Sequence, residues 1–139
     1  MNVSDIMTAK PATILQDDSL HAALELMDQM GCHHLPVLSS DGHLVGLISD
    51  RDCRKALNLP LIQRDHWKDR DIASQIPIRS LMSPAPIIVE PNAPAEEAVR
   101  LMLVNRIGSL PVMRSETLVG IVTKSDILTA FMRLSQSPT

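Results

Sequence analysis

The chain of 139 residues lies in the usual size range of one compact module, and its apolar residues are almost all aliphatic, with one Phe, one Trp and no Tyr. This composition predicts an aliphatic core of helices and strands, and it excludes a single-stranded nucleic-acid platform, which needs aromatic faces for base stacking. The net charge of −3 also excludes a basic field that would attract a phosphate backbone.

The cysteines and the first residues predict the compartment. Cys32 and Cys53 are too few for a disulfide framework, and the N-terminus lacks a basic region followed by an apolar run. No apolar stretch reaches the roughly 18 residues that a membrane span needs. We therefore expect a soluble, reduced, cytoplasmic protein with no membrane partner and no nucleic-acid partner.

The first half of the chain predicts the order β-α-β-β-α. Its elements are an extended segment at 11–15, a helix from 20 to about 30, strands at 34–38 and 44–48, and a helix from about 50 to 57. Ser19 is the expected N-cap of the first helix and Gly31 its stop. Residues 39–42 provide the turn chemistry of a hairpin.

The second half predicts the same order. Its elements are an extended segment at 87–89, a helix with Pro94 in its first turn, a hairpin at 110–122 and a helix to about 134. We therefore predict repeats at 1–57 and 78–134, a charged connector at 58–77 that contains Trp67, and a frayed tail at 135–139.

The two halves form an internal repeat. Residues 5–8, 35–37 and 46–52 of the first half match 80–83, 110–112 and 120–126 of the second, at an offset of 75 residues that becomes 74 after the turn. Neither half alone has enough apolar surface for a stable core. We therefore expect an α/β (α+β) fold in which the two repeats pack together as one module about a pseudo-twofold axis.

The repeated corner, Gly-x-x-Ser/Thr-x-x-Asp at 46–52 and 120–126, has two compatible interpretations. As local structure, Ser49 and Thr123 cap the helix that follows, and a carboxylate three residues later favours its positive end. As a binding site, a helix start with free N–H groups suits a phosphate, and a carboxylate suits ribose hydroxyls. Capping alone explains a single corner, but this chain has two.

The lead-in Asp-Ile-Met-Thr at 5–8 has a counterpart, Ser-Leu-Met-Ser, at 80–83, and the Leu-Pro-Val strand and this corner are each present twice at matched spacing. On these features the sequence resembles the cystathionine-β-synthase (CBS) domain pair, or Bateman module. The resemblance covers residues from about 3 to 134 except the connector. It implies that the corner aspartate takes ribose hydroxyls, that the Ser or Thr lies near the ribose or phosphate, and that aliphatic residues enclose an adenine. Some members of the family bind no known ligand.

The resemblance also implies which residues form the two nucleotide sites. By position, one site joins Leu47, Ser49 and Asp52 to Ile87 and Ile107, and the other joins Ile121, Thr123 and Asp126 to Ala12 and Cys32. Arg51 in the first corner and Lys124 in the second each offer a cation for a phosphate. The alternative is that both are solvated first-turn residues.

The function implied is that of a stand-alone regulatory module for energy sensing, with no enzymatic activity. Its ligand would be AMP, ADP or ATP, with NAD or S-adenosylmethionine as further candidates, and no cofactor is required. The resemblance further implies a disc-like homodimer formed through helices and an unknown protein partner regulated in trans. Neither a nucleophile with a base-and-orienter pattern nor a phosphate-cradling glycine loop is present in the sequence.

Two alternatives stay open at this point. The chain could be a ligand-free structural or dimerisation module whose corners serve only as caps. A metal-dependent role would use the first half, which contains Cys32-His33-His34, His21, His43 and Cys53. We expect no metal site, because adjacent histidines entering a strand point to opposite faces and no C-x-x-C or H-x-x-x-H spacing presents ligands together.

Overall fold

The computed structural model of the chain describes residues 1–58 and 74–136. Trp67 and most of the predicted connector lie outside the described residues, as do the last three residues of the predicted tail. The described helices are α1 (Val3–Ile6), α2 (Leu20–Met30), α3 (Asp50–Leu57), α4 (Ala95–Asn105) and α5 (Lys124–Gln136), with one 3-10 turn at Ile78–Ser80. The described strands are β1 (Thr8–Ala9), β2 (Ile14–Leu15), β3 (His34–Leu38), β4 (Leu44–Ser49), β5 (Ser83–Pro84), β6 (Ser109–Arg114) and β7 (Thr117–Thr123).

These elements confirm the predicted mixture of helices and strands, an α+β fold built from two repeats. The first repeat follows the predicted order. In the second repeat, the predicted first strand is reduced to a single parallel bridge between Val89 and Val112. The sequence pattern does not predict β1 and β5, because two-residue strands are too short to show alternation.

Capping residues determine where the helices begin and end. Ser19 accepts a hydrogen bond from the backbone N–H of Ala22 at 3.1 Å, and Gly31 ends α2 in the left-handed region, as predicted. Pro94 is the N-cap of α4 rather than a residue of its first turn, because its ψ of 143° is still extended. The last helix, α5, continues past the predicted end to Gln136.

The chain forms two compact units. The first-repeat unit is Ala12–Pro86, and the second-repeat unit is Met1–Pro11 together with Ile87–Thr139. The segment that leads into each sequence repeat therefore belongs to the unit built from the other repeat.

The first-repeat unit contains a four-stranded sheet in the order β2-β3-β4-β5. β2 is parallel to β3, whereas β4 is antiparallel to both β3 and β5. Helix α2 contributes Leu20, Ala23 and Met27 to the core, at the spacing of one helix face. The rest of the buried core consists of Ile14, Leu35, Val37, Ile48, Cys53, Ala56 and Ile78.

The second-repeat unit contains a three-stranded antiparallel sheet in the order β1-β7-β6. β1 comes from the start of the chain, and its Thr8 lies opposite Ile121 of β7. The buried core consists of Val3, Ile6, Val89, Ala98, Met102, Leu110, Val112 and Val122. Two of these residues, Val3 and Ile6, come from α1, so the lead-in segment supplies part of the core of this unit.

Candidate functional site

The first corner lies where β4 ends and α3 begins. The backbone N–H and the hydroxyl of Ser49 both donate to Oδ2 of Asp52 at 2.9 Å, and the backbone N–H of Asp52 donates to Oγ of Ser49 at 3.1 Å. This is a complete capping box, as the spacing predicts. Oδ1 of Asp52 accepts no hydrogen bond from any part of the chain that the structure describes.

The second corner lies between β7 and α5 and has the same geometry. The backbone N–H and the hydroxyl of Thr123 donate to Oδ2 of Asp126 at 2.8 and 3.1 Å, and the N–H of Asp126 donates back to Oγ1 of Thr123 at 3.3 Å. One further bond distinguishes this corner, because the hydroxyl of Thr8 donates to Oδ1 of Asp126 at 3.1 Å. Oδ2 of Asp52 and Oδ2 of Asp126 therefore accept the same set of capping hydrogen bonds, whereas Oδ1 accepts a bond from Thr8 only in Asp126.

Each corner begins with a glycine because the strand at this point passes close to a methionine from the neighbouring lead-in segment. A β-carbon on Gly46 would lie 2.6 Å from Sδ of Met82 and 2.9 Å from the carbonyl oxygen of Ser83. On Gly120 it would lie 2.5 Å from Sδ of Met7. Close approach of the backbone thus explains the first residue of the motif in structural terms.

Charged side chains surround both helix starts. In the first corner, Asp50 lies 3.0 Å from Nη2 of Arg54 and 3.6 Å from Nδ1 of His33. Arg51 and Lys124, the two predicted phosphate ligands, are both exposed. Exposure leaves both cations accessible to a ligand, and it is equally compatible with the solvated alternative.

The two cysteines lie in the first-repeat unit as thiols. Burial, and to a smaller extent the negative charges of Asp52 and Asp50, raise the pKa of Cys53 to about 11. Burial also raises the pKa of Cys32, although hydrogen bonds from the backbone N–H groups of His34 and of Cys32 itself lower it. Both side chains are therefore protonated at neutral pH, when a thiol is a poor nucleophile and a poor metal ligand.

The residues of the two predicted nucleotide sites are divided between the two units. The first-repeat unit contains Ala12, Cys32 and Leu47, all half-buried, together with Ser49, Arg51 and Asp52. The second-repeat unit contains Ile87, which is exposed, Ile107, which is half-buried, and Ile121, which is buried, together with Thr123, Lys124 and Asp126. Each predicted nucleotide site takes residues from both units, and its assembly stays a prediction.

Within the second-repeat unit, the structure brings Ile107 and Lys124 together in the lining of one groove between α4 and α5. By their positions in the sequence, Ile107 belongs to the first predicted nucleotide site and Lys124 to the second. Their shared groove has an open volume of about 430 Å³ and is lined mainly by aliphatic side chains.

Sequence reasoning misses Thr8 as a neighbour of a corner. Thr8 and Ser83 are visible as matched hydroxyls at the end of each lead-in motif. What the pattern does not reveal is that Thr8 joins Asp126, in the corner of the other repeat. Antiparallel pairing of β1 with β7 makes this contact possible.

Residues 1–58 and 74–136 contain no group of three or more His, Cys, Asp or Glu side chains that could hold a metal ion. Over the same residues, every helix is too short or too polar to cross a membrane.

The sequence model of the CBS domain family matches the chain twice, at residues 3–59 and 78–133. A CBS domain-containing protein of Dictyostelium discoideum is 33% identical over 133 residues, which cover 95% of this chain and 92% of that protein.

Two solved structures resemble the chain throughout. CBSX2 in complex with AMP is 28% identical, with a TM-score of 0.77 and coverage of 97% of this chain and 98% of the other. The CBS domain pair of protein MJ0100, in complex with 5′-methylthioadenosine and S-adenosyl-L-methionine, is 27% identical, with a TM-score of 0.80 and coverage of 96% and 98%. Both complexes contain ligands with an adenosine group.

Proposed function

The chain belongs to the CBS-domain family and carries that domain twice, and on this basis we propose that it is a regulatory module which binds an adenine nucleotide at its two corners. The observation that carries the proposal is the duplicated corner itself: a carboxylate fixed by its own cap at the start of a helix, once in each repeat. The adenosine-containing ligands of CBSX2 and of the MJ0100 domain pair support it.

Each part of a nucleotide has a chemical counterpart at a corner. Oδ1 of Asp52 can accept hydrogen bonds from a ribose diol while Oδ2 keeps the cap in place. The positive end of the helix and the exposed Arg51 or Lys124 suit a phosphate. The adenine would lie between aliphatic side chains, for which Ile87, Ile107, Ala12 and Cys32 are the candidates.

Regulation would follow from ligand linkage. A nucleotide shifts the protein between two arrangements only as far as its affinity for the two arrangements differs. We propose that the module acts in this way on a protein partner in trans, as a homodimer, and that it catalyses no reaction. Sensing of the AMP, ADP and ATP balance is the corresponding role in the cell.

Thermal denaturation with AMP, ADP, ATP, NAD and S-adenosylmethionine tests the proposal. Saturation at about 100 times the dissociation constant adds roughly 2.7 kcal/mol to the free energy of unfolding. The matched control is the double variant Asp52→Asn, Asp126→Asn, which should remain folded and respond by only about half as much, roughly 1.4 kcal/mol, because binding at each corner is weakened about tenfold. A flat response of the native protein across the whole panel would sink the nucleotide proposal.

A second candidate is a ligand-free dimerisation module. One observation favours it: within the described residues, each capping box already satisfies the hydroxyl and one carboxylate oxygen without a ligand. If this candidate is correct, none of the five ligands raises the free energy of unfolding. Asp126→Asn then acts mainly by weakening the start of α5. Nucleotide binding by the native protein that weakens at one corner in a folded Asp126→Asn protein excludes it.

A further inference from the structure

The chain passes between its two units at two joints, and a left-handed residue begins each of them. The first-repeat unit begins at Ala12 and ends at Pro86, so one joint lies at Pro11 and the other at Pro86. The residues directly before these prolines are Lys10, with a φ of 49°, and Ala85, with a φ of 46°. Lys10-Pro11 and Ala85-Pro86 are matched at the offset of 75 residues, so the repeat carries the same joint twice.

Local preference opposes this conformation at both joints. A residue with a β-carbon rarely adopts a left-handed φ, and a proline pushes the residue before it toward extended backbone. Among the described residues, Arg106 and Ser115 are also left-handed, but Arg106 is the C-cap of α4 and Ser115 lies in the turn between β6 and β7. Lys10 and Ala85 have neither role, and both are exposed, so burial of their side chains does not explain the conformation. The surrounding backbone therefore imposes it.

Backbone hydrogen bonds fix the start of each joint on a strand that leads into a corner. The N–H of Ala85 donates to the carbonyl oxygen of Val45 at 3.2 Å, and the N–H of Lys10 donates to the carbonyl oxygen of Val119 at 3.3 Å. Val45 and Val119 each directly precede the glycine of a corner. Each bond follows a short antiparallel pairing, of β5 with β4 and of β1 with β7.

The residue after each joint is a predicted apolar wall of the site at the corner where that joint begins. Ile87 follows the second joint and belongs to the predicted site of Asp52, the corner that β4 enters. Ala12 follows the first joint and belongs to the predicted site of Asp126, the corner that β7 enters. Each joint thus connects a corner to the wall predicted for it.

The joints are short and stiff. Two peptide units separate the left-handed residue from the wall residue, so their Cα atoms lie at most about 7 Å apart. The proline between them has its φ fixed near about −65°, which removes one of the soft dihedral angles. A joint of this kind restricts how far the wall moves from its corner.

We propose that Lys10-Pro11 and Ala85-Pro86 are positioning residues for the nucleotide, each joint holding an apolar wall in place beside its corner aspartate before the ligand arrives. The inference rests on the proposed function and adds which residues preorganise its two sites. A site that is already assembled avoids the loss of affinity that occurs when only a fraction of the molecules is competent to bind.

Isothermal titration calorimetry of the full chain with AMP tests the positioning. The variant Ala85→Gly, Pro86→Ala frees both φ angles of one joint and changes no residue of a corner. It should lower the affinity of the site at Asp52 about tenfold, the loss expected when about one molecule in ten is competent, and leave the site at Asp126 unchanged. Titrations of Asp52→Asn and Asp126→Asn proteins assign the two sites.

The other joint provides the reciprocal test. Lys10→Gly, Pro11→Ala should weaken the site at Asp126 about tenfold and leave the site at Asp52 unchanged. Ser115→Gly is the matched control, because it relaxes a left-handed residue outside the joints, and it should leave both affinities within about twofold. If a proline change unfolds the chain, the glycine change alone repeats the titration, because glycine adopts a left-handed φ without strain.

Double electron–electron resonance measures the joints without a ligand. Nitroxide labels at Glu25→Cys on α2 and Arg100→Cys on α4 report the distance between the units, in a Cys32→Ser background where the remaining Cys53 is fully buried. Dilution with unlabelled protein restricts the signal to distances within one chain. The distance distribution should broaden when both joints are relaxed and stay unchanged in Ser115→Gly. Equal widths in all of these proteins overturn the proposal.

The failures of the two proposals are distinguishable. A native protein that ignores all five ligands contradicts nucleotide binding, and the distance distributions then still decide whether the joints hold the units. A native protein that binds AMP, with joint variants that bind it equally well, contradicts only the positioning.

Discussion

The hydroxyl of Thr8 donates a hydrogen bond to Oδ1 of Asp126 at 3.1 Å and so joins two residues that lie 118 positions apart in the chain. Ser83 occupies the matched position beside the other corner, but no bond from its hydroxyl to Asp52 exists among the residues described. The two corners thus share their cap and differ at the carboxylate oxygen that faces away from it.

Thr8→Val should reduce the free energy of unfolding by about 0.5–1 kcal/mol, because it keeps the shape of the side chain and removes an exposed hydrogen bond. Urea denaturation measures the change. Ser83→Ala is the matched control and should alter stability by no more than a few tenths of a kcal/mol. Equal losses in the two variants would show that the Thr8–Asp126 bond does not distinguish the corners.

Asp126→Asn and Asp52→Asn should each weaken nucleotide binding at their own corner about tenfold, because the ribose loses a charged hydrogen-bond acceptor. Asparagine keeps an acceptor oxygen for the capping N–H, so the fold should survive. Isothermal titration calorimetry of either variant should then show one unchanged site and one weakened site. Circular dichroism provides the control, since global unfolding of Asp126→Asn would mean that the carboxylate acts chiefly as a cap.

Gly46→Ala should destabilise the first-repeat unit by about 1–3 kcal/mol, because the new methyl group overlaps Met82 and the backbone of Ser83. Gly120→Ala should have a similar effect through Met7. A double-mutant cycle of Gly46→Ala with Met82→Ala isolates the steric term and should recover part of the loss. Strict additivity in that cycle would place the cost of the alanine elsewhere than at Met82.

Cys53 should make the protein less stable in alkali. Its pKa is raised from 9.0 to about 11 in the folded chain, so the unfolded state releases its proton first as the pH rises. The stability from the protonated thiol is complete below pH 9 and is lost between pH 9 and 11, at roughly 1 kcal/mol per pH unit. Denaturation of Cys53→Ala over this range should have a shallower slope, and identical slopes would exclude Cys53 as the cause.

Local patterns were sufficient for the four longer helices α2 to α5, the hairpins and the corners. Ser19 and Gly31 bracket α2, and the Ser49 and Thr123 caps form as the spacing predicts, because capping joins residues three positions apart. Pro94 shows the limit of such reasoning: proline is accepted both at the N-cap and in the first turn, so a boundary can shift by one residue.

The sequence by itself determined the duplication, the α+β class and the positions of the two caps, since these depend on periodicity and on contacts within a few residues. Only the tertiary structure decided that the first eleven residues complete the second-repeat unit and bring Thr8 to Asp126. It also decided that Leu128, Phe131, Met132 and Leu134 of α5 are exposed, whereas Ile127 packs against the core. Both outcomes depend on which distant strands pair and which helix faces they cover, and these choices are made by packing between elements, not by local preference.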